Sequence, residues 1–263
     1  VRISILIVVS VLSFSCAGPL GLGSPFFIAE AEAQAQPETA LSEGNHSDDG
    51  TRIQIEGFID YTTSARIYPA SRDADPSISS TYNSFNGFLS PGGDVRVILN
   101  RSNVVGLTMQ YMAAKQTIYN VYGYNQKDQY VGVPVNDGFS LWLTELNGYF
   151  DIPVLGERWS IYLGGGPELC FGRRDLQIGN AEANTSITTT VGIQVAAGVT
   201  FKFADHFGIR SEMKFRSPEF NTASTFNSAS TTYDGLQISL PKTQYGKVNL
   251  DGDDFTLGLF WEL

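Results

Sequence analysis

Apolar and polar residues alternate with a period of two wherever this chain is rich in apolar side chains. Within 188–216, Val191, Ile193, Val195, Ala197, Val199, Phe201 and Phe203 share one parity, and Gly192, Gln194, Ala196, Gly198, Thr200 and Lys202 share the other. After a break at 204–207 the alternation resumes, with Ile209, Met213 and Phe215 against Arg210, Glu212, Lys214 and Arg216. Such a period specifies strand rather than helix. Both runs are long enough for a tilted strand to cross a bilayer, which takes about 9–11 residues.

The same reading predicts strands at 53–61, 94–100, 104–113, 140–150, 159–170 and 255–263. With the two above they make eight, an even number. The predicted long connections are 63–92, 114–138, 171–187 and 217–252, rich in Ser, Thr, Asn and Tyr. The short ones are 101–103, 151–158 and 204–207, and the two kinds alternate. In outer-membrane barrels short turns face the periplasm and long loops face outside. The expected fold is therefore all-β, an eight-stranded antiparallel transmembrane up-and-down barrel with both ends on the periplasmic side.

The charges fall on one parity. Glu56, Asp60, Asp94, Arg96, Glu145, Glu168, Lys202, Arg210, Glu212, Lys214, Arg216 and Glu262 lie on the side assigned to the lumen. An ionised group costs several kcal/mol in hydrocarbon, so a lipid-facing surface excludes it. Inside a narrow barrel, acids and bases can pair. The expectation is a barrel-interior charge network, with Arg210 to Arg216 meeting Glu56, Asp60 and Glu262. Tyr61, Trp142, Phe150, Trp159 and Trp261 fall near strand ends, where an aromatic belt sits.

Composition narrows the partners. The chain has 263 residues, only 17 % of them charged, and a formal net charge of -10, which disfavours nucleic acid. Residues 1–35 read as an export signal: Arg2, an apolar core over 3–14 and the small-residue stretch Ala33-Gln34-Ala35. Residues 36–52 then form a polar periplasmic segment and 53–263 the barrel domain. Leu12 lies four residues before Cys16 rather than three, which argues against lipidation. Loss of the leader would leave Cys170 as a single thiol.

The residues at 191–215, with the turn "ADHFGI", resemble the penultimate hairpin of the small eight-stranded outer-membrane barrels, the family that includes the membrane domain of outer-membrane protein A and its short relatives. Phe255, Leu257, Leu259, Trp261 and Leu263 resemble that family's C-terminal insertion signal, which usually ends in Phe where this chain has Leu263. The resemblance covers 53–263. It implies an integral, monomeric protein of a Gram-negative-type outer membrane. Its expected partners are outer-membrane lipid and lipopolysaccharide, the assembly machinery and periplasmic chaperones, with an unidentified surface ligand for the long loops.

Chemistry is sparse. His46 and His206 have no second His or Cys at ligand spacing, so no metal or other cofactor is expected. Asp251, Asp253 and Asp254 read as a solvated acidic loop base rather than a Ca²⁺ loop. A Ser–His pair for a lipid A-modifying enzyme would have to come from His206 and Ser211 at the periplasmic rim. The sequence favours a non-enzymatic barrel with a structural or surface-interaction role and a closed or nearly closed lumen. A small porin-like channel is the alternative, and a barrel-type lipid A-modifying enzyme a weaker one.

Overall fold

The computed structural model describes residues 52–155 and 158–263; the expected export signal, Cys16 and His46 lie outside them. Five strands come first: β1 (Arg52–Tyr68), β2 (Asn83–Ile98), β3 (Asn103–Tyr124), β4 (Tyr130–Leu155) and β5 (Trp159–Ile178). Then come β6 (Ala181–Thr185) and β7 (Thr188–Lys202), which continue one another, as do β8 (Phe207–Arg216) and β9 (Glu219–Phe226). A small hairpin, β10 (Ser230–Tyr233) and β11 (Leu236–Ser239), precedes β12 (Thr243–Asn249) and its continuation β13 (Asp253–Glu262). Each neighbouring pair is antiparallel. The ring closes through β5 on β7 and β13 on β1, where Glu56 lies opposite Phe260. The result is an eight-stranded up-and-down barrel.

Its wall carries an outward apolar band. On β1 Ile53, Ile55, Ile59 and Tyr61 are exposed while Gln54, Glu56, Phe58 and Asp60 are buried. The same division holds on β3 for Leu107 and Met109 against Thr108 and Gln110, and on β4 for Trp142 and Leu146 against Leu143 and Glu145. Aromatic rings edge the band. Tyr111 and Trp142 pack with centroids 5.0 Å apart at one rim, and Trp159 and Phe201 at 4.4 Å at the other. Such rims suit a membrane–water interface.

The connections differ from the sequence expectation. Three of the four stretches read as long loops are largely strand, and 63–92 is strand at both ends with a short helix, Pro76–Ser79, between. The turn 179–180 between β5 and β6 has only two residues. Beyond the aromatic rim the barrel continues as an overhang in which β3 and β4 pair as far as Tyr124 and Tyr130. Tyr68, Tyr119, Tyr122, Tyr124, Tyr130 and Tyr245 thus sit on strands rather than in loops.

The physical reason is an inversion of amphipathicity. Within the band, polar side chains point in. Above it water surrounds the wall, so apolar side chains point in. β4 shows this on one parity: Val131, Val133, Val135, Phe139, Leu141 and Leu143 are buried, and Glu145 and Asn147 follow. On β1 and β2 the facing itself shifts near Thr63 and Gly87, whose φ of +63° favours glycine. The shift turns Ala65, Ile67 and Phe85 inward. They join Met112, Phe139, Leu141, Leu143, the thiol-bearing Cys170 and Phe220 in an apolar plug across the upper lumen. Pro91, which has no N–H to donate, stands where the β2–β3 ladder ends at Gly92 opposite Gln110.

Candidate functional site

Beneath the apolar plug the lumen is ionic. Of the twelve charged residues read from the sequence, eleven are buried, and Lys202 is half-buried at the tight-turn end. Strand geometry puts them there: on β8, Arg210, Glu212, Lys214 and Arg216 occupy successive inward positions, one charge per strand repeat.

The pairs form tiers along the axis. At the tight-turn end Glu262 receives Lys202 at 2.6 Å, Arg52 at 2.7 Å and the Gln54 amide at 2.8 Å. One tier up, Arg210 pairs with Glu56 and donates to Gln54 Oε1. Arg96 bonds Asp94 and reaches Glu212 at 3.0 Å, and its guanidinium lies 3.8 Å from the centroid of the Tyr149 ring. The Tyr162 hydroxyl donates to Glu212 at 2.8 Å. Lys214 then bonds Glu145 at 3.0 Å and Glu212 at 3.4 Å. At the top Arg216 bridges Glu145 at 2.8 Å, Asp60 at 3.5 Å and Asp254. Gln110 ties Asp60 to the Arg216 guanidinium.

Structure therefore brings Arg210 onto Glu56 and Arg216 onto Asp60, whereas Glu262 is held by Lys202 and Arg52 rather than by β8. Asp254 needs correction. It is not part of a solvated acidic loop base but fully buried against Arg216, while Asp251 pairs with Arg66 at 3.0 Å on the overhang. Its signal was available, since Asp254 shares its parity with Thr256 and Glu262. The neutral members Gln54, Gln110, Asn147, Tyr149 and Tyr162 carry no charge that would flag them in the sequence. Glu168 stands apart: it is buried beside Gly192, and neither of its carboxylate oxygens has a protein hydrogen-bond partner.

Close packing accompanies the pairing. A Cβ on Gly258 would collide with the Glu56 carboxylate that Arg210 holds. Gly258→Val is expected to destabilise the folded barrel by about 1–3 kcal/mol, the usual cost of overpacking. Urea unfolding in lipid vesicles measures this, and a change near zero would show that the tier has room to spare.

The residues of the C-terminal pattern, Phe255, Leu257, Leu259, Trp261 and Leu263, all point outward from the last strand and are exposed. His206 lies at a tight turn with Nδ1 3.0 Å from the Glu262 carbonyl oxygen. Ser211 faces outward on β8. Among the described residues, no group of three or more His, Cys, Asp and Glu is placed to hold a metal ion.

An eight-stranded antiparallel barrel with an apolar belt outside and ions inside has the architecture of small outer-membrane proteins. No protein-family model and no curated protein sequence matches the chain. Among solved structures, the outer membrane protein OprG from Pseudomonas aeruginosa is similar at 9 % identity and a TM-score of 0.54, covering 81 % of this chain and 96 % of that one. Neisserial surface protein A aligns over 80 % of this chain and 96 % of its own, at 10 % identity and a TM-score of 0.40. The outer membrane protease OmpT from Escherichia coli aligns over 82 % and 98 %, at 8 % identity and 0.42. The likeness to OprG shows the small outer-membrane β-barrel fold.

Proposed function

We propose that this chain is a non-enzymatic integral protein of a Gram-negative-type outer membrane, with a closed lumen and a structural or surface-interaction role carried by its overhang. The observation that carries the reading is the filled interior: tiers of ion pairs from Glu262 to Arg216, capped by the apolar plug around Phe139 and Leu141. The tight turns face the periplasm and the overhanging strands face outside. Long-lived exposure of Ile55, Leu107, Leu257 and Leu259 to water would be unfavourable, so the band is solvated by lipid. Outer-membrane lipid and lipopolysaccharide are its surroundings, and the assembly machinery and periplasmic chaperones are its partners during biogenesis.

Cell fractionation tests the location. The protein is expected in the outer-membrane fraction, resistant to salt and alkaline washes and released only by detergent. Recovery of the folded protein in the soluble periplasm would overturn the proposal.

A further inference from the structure

One carboxylate in the lumen is left without a counter-charge. Glu168 is 1 % exposed, and neither of its oxygens has a protein hydrogen-bond partner. Register places it on β5 opposite Glu145 on β4 and Gly192 on β7, and its carboxylate lies where a side chain at 192 would stand. The cations of its tier are committed elsewhere. Arg216 directs Nε to Asp254, Nη1 to Glu145 and Nη2 to Gln110, and Lys214 serves Glu145 and Glu212.

The deficit is electrical as well as geometric. At this level Asp60, Glu145, Glu168 and Asp254, all buried, share Arg216 and a lysine that also serves Glu212. The local charge is therefore negative despite the arginine. Buried charges in proteins are paired or coordinate metal ions. Two further acceptors on this tier are also unmet: Oε1 of Gln194, whose amide nitrogen donates to Asn147 at 2.5 Å, and Oδ1 of Asp254. Gln194 is the next inward residue after Gly192 on β7, so it stands diagonal to Glu168 across the ladder. Diagonal neighbours lie about 7–8 Å apart by backbone, a span that two long side chains can close on a shared ion. Every unmet group here is an acceptor, which a cation satisfies and an anion does not.

The number of oxygens sets the charge of the ion. Ca²⁺ takes 6–8 oxygen ligands and Mg²⁺ a near-ideal octahedron. The two oxygens of Glu168 and Oε1 of Gln194 fall short of either, in keeping with the lack of a three-carboxylate cluster among the described residues. One positive charge answers one carboxylate. We propose that a monovalent alkali cation is seated beside Glu168, held by its two carboxylate oxygens and the amide oxygen of Gln194. Arg216 does not expel it, because three carboxylates already surround that guanidinium. The next inward residue above Glu168 is Cys170, part of the apolar plug, which closes the outer route. The ion is therefore loaded as the barrel folds.

The test follows reversible urea unfolding in lipid vesicles in sodium or potassium chloride, with ionic strength held constant by N-methylglucamine chloride. The unfolding equilibrium constant of the wild type is expected to fall about tenfold for each tenfold rise in alkali cation above its dissociation constant, as for any ligand that binds only the folded state. Glu168→Gln should abolish that dependence, and heat-modifiable gel migration reports its folding independently. Should the variant fail to fold, wild-type crystals grown in rubidium chloride decide the matter. An anomalous peak within bonding distance of the Glu168 carboxylate would support the site, and a map without one there would overturn it. Wild-type stability that is equal in alkali and organic cation would show that water or a proton satisfies Glu168 instead, and would overturn the ion. A folded Glu168→Gln variant that keeps the cation dependence would place the ion elsewhere and overturn this site.

Discussion

Arg216→Ala is expected to destabilise the folded barrel by about 3–5 kcal/mol, the range for removing one partner of a buried ion pair. Arg216 is the cation on which three carboxylates converge: Glu145 at 2.8 Å, Asp60 at 3.5 Å, and Asp254. Truncation leaves them with Lys214, which already serves Glu145 and Glu212. The loss is mostly the penalty of stranding buried charge rather than the net worth of the pair. A comparison separates the two effects. Arg173 is paired with Asp175 at 3.2 Å but is half-exposed on the overhang, so Arg173→Ala should cost about 0–1 kcal/mol. Reversible urea unfolding in lipid vesicles measures both. Similar small losses would mean that water reaches the Arg216 tier.

The second large effect concerns the outer wall. Leu107 is exposed near the middle of the apolar band, between Val95 and Leu146 in the ladder. Leu107→Arg places a guanidinium in hydrocarbon and should cost about 2–4 kcal/mol. Leu99 is also exposed but lies beyond the end of β2 at the tight turn, where Leu99→Arg should cost about 0–1 kcal/mol. The contrast tests depth rather than burial, since both side chains point out of the barrel. Equal costs would place the membrane elsewhere on this wall.

What was legible in the sequence follows from which solvent each parity meets. Inside the band, lipid and a packed lumen impose opposite demands, so Arg210, Glu212, Lys214 and Arg216 declare their facing at once. Outside the band both demands reverse. Apart from Asp137, which Arg174 pairs, the row from Val131 to Leu143 on β4 is apolar because it faces in, and outward positions such as Lys115 and Thr117 are polar because water meets them. A reading tuned to apolar-outward strands sees no pattern there and takes strand for loop. The facing shift at Thr63 and Gly87 hides Ile67 and Phe85 in the same way. Asp254 is masked for another reason: Asp251 and Asp253 stand close by in the chain and the three read together as an acidic loop, although parity sets Asp254 apart from both and the approach of Arg216 bears that parity out. Arg174 and Asp137 fell within stretches read as loops, and nothing local announces that they meet.

The apolar plug and the ion tiers together make one central claim, that the lumen does not conduct. With eight strands the interior is just wide enough for side chains to fill. Here charged pairs fill its lower part and Met112, Phe139, Leu141 and Phe220 fill the part above. Single-channel recording of the purified wild-type protein in planar bilayers tests this most directly. A silent trace, or rare small flickers, is the predicted result; large, long-lived conductance steps whose ion selectivity changes with Arg96 or Glu212 would contradict it and make the chain a pore.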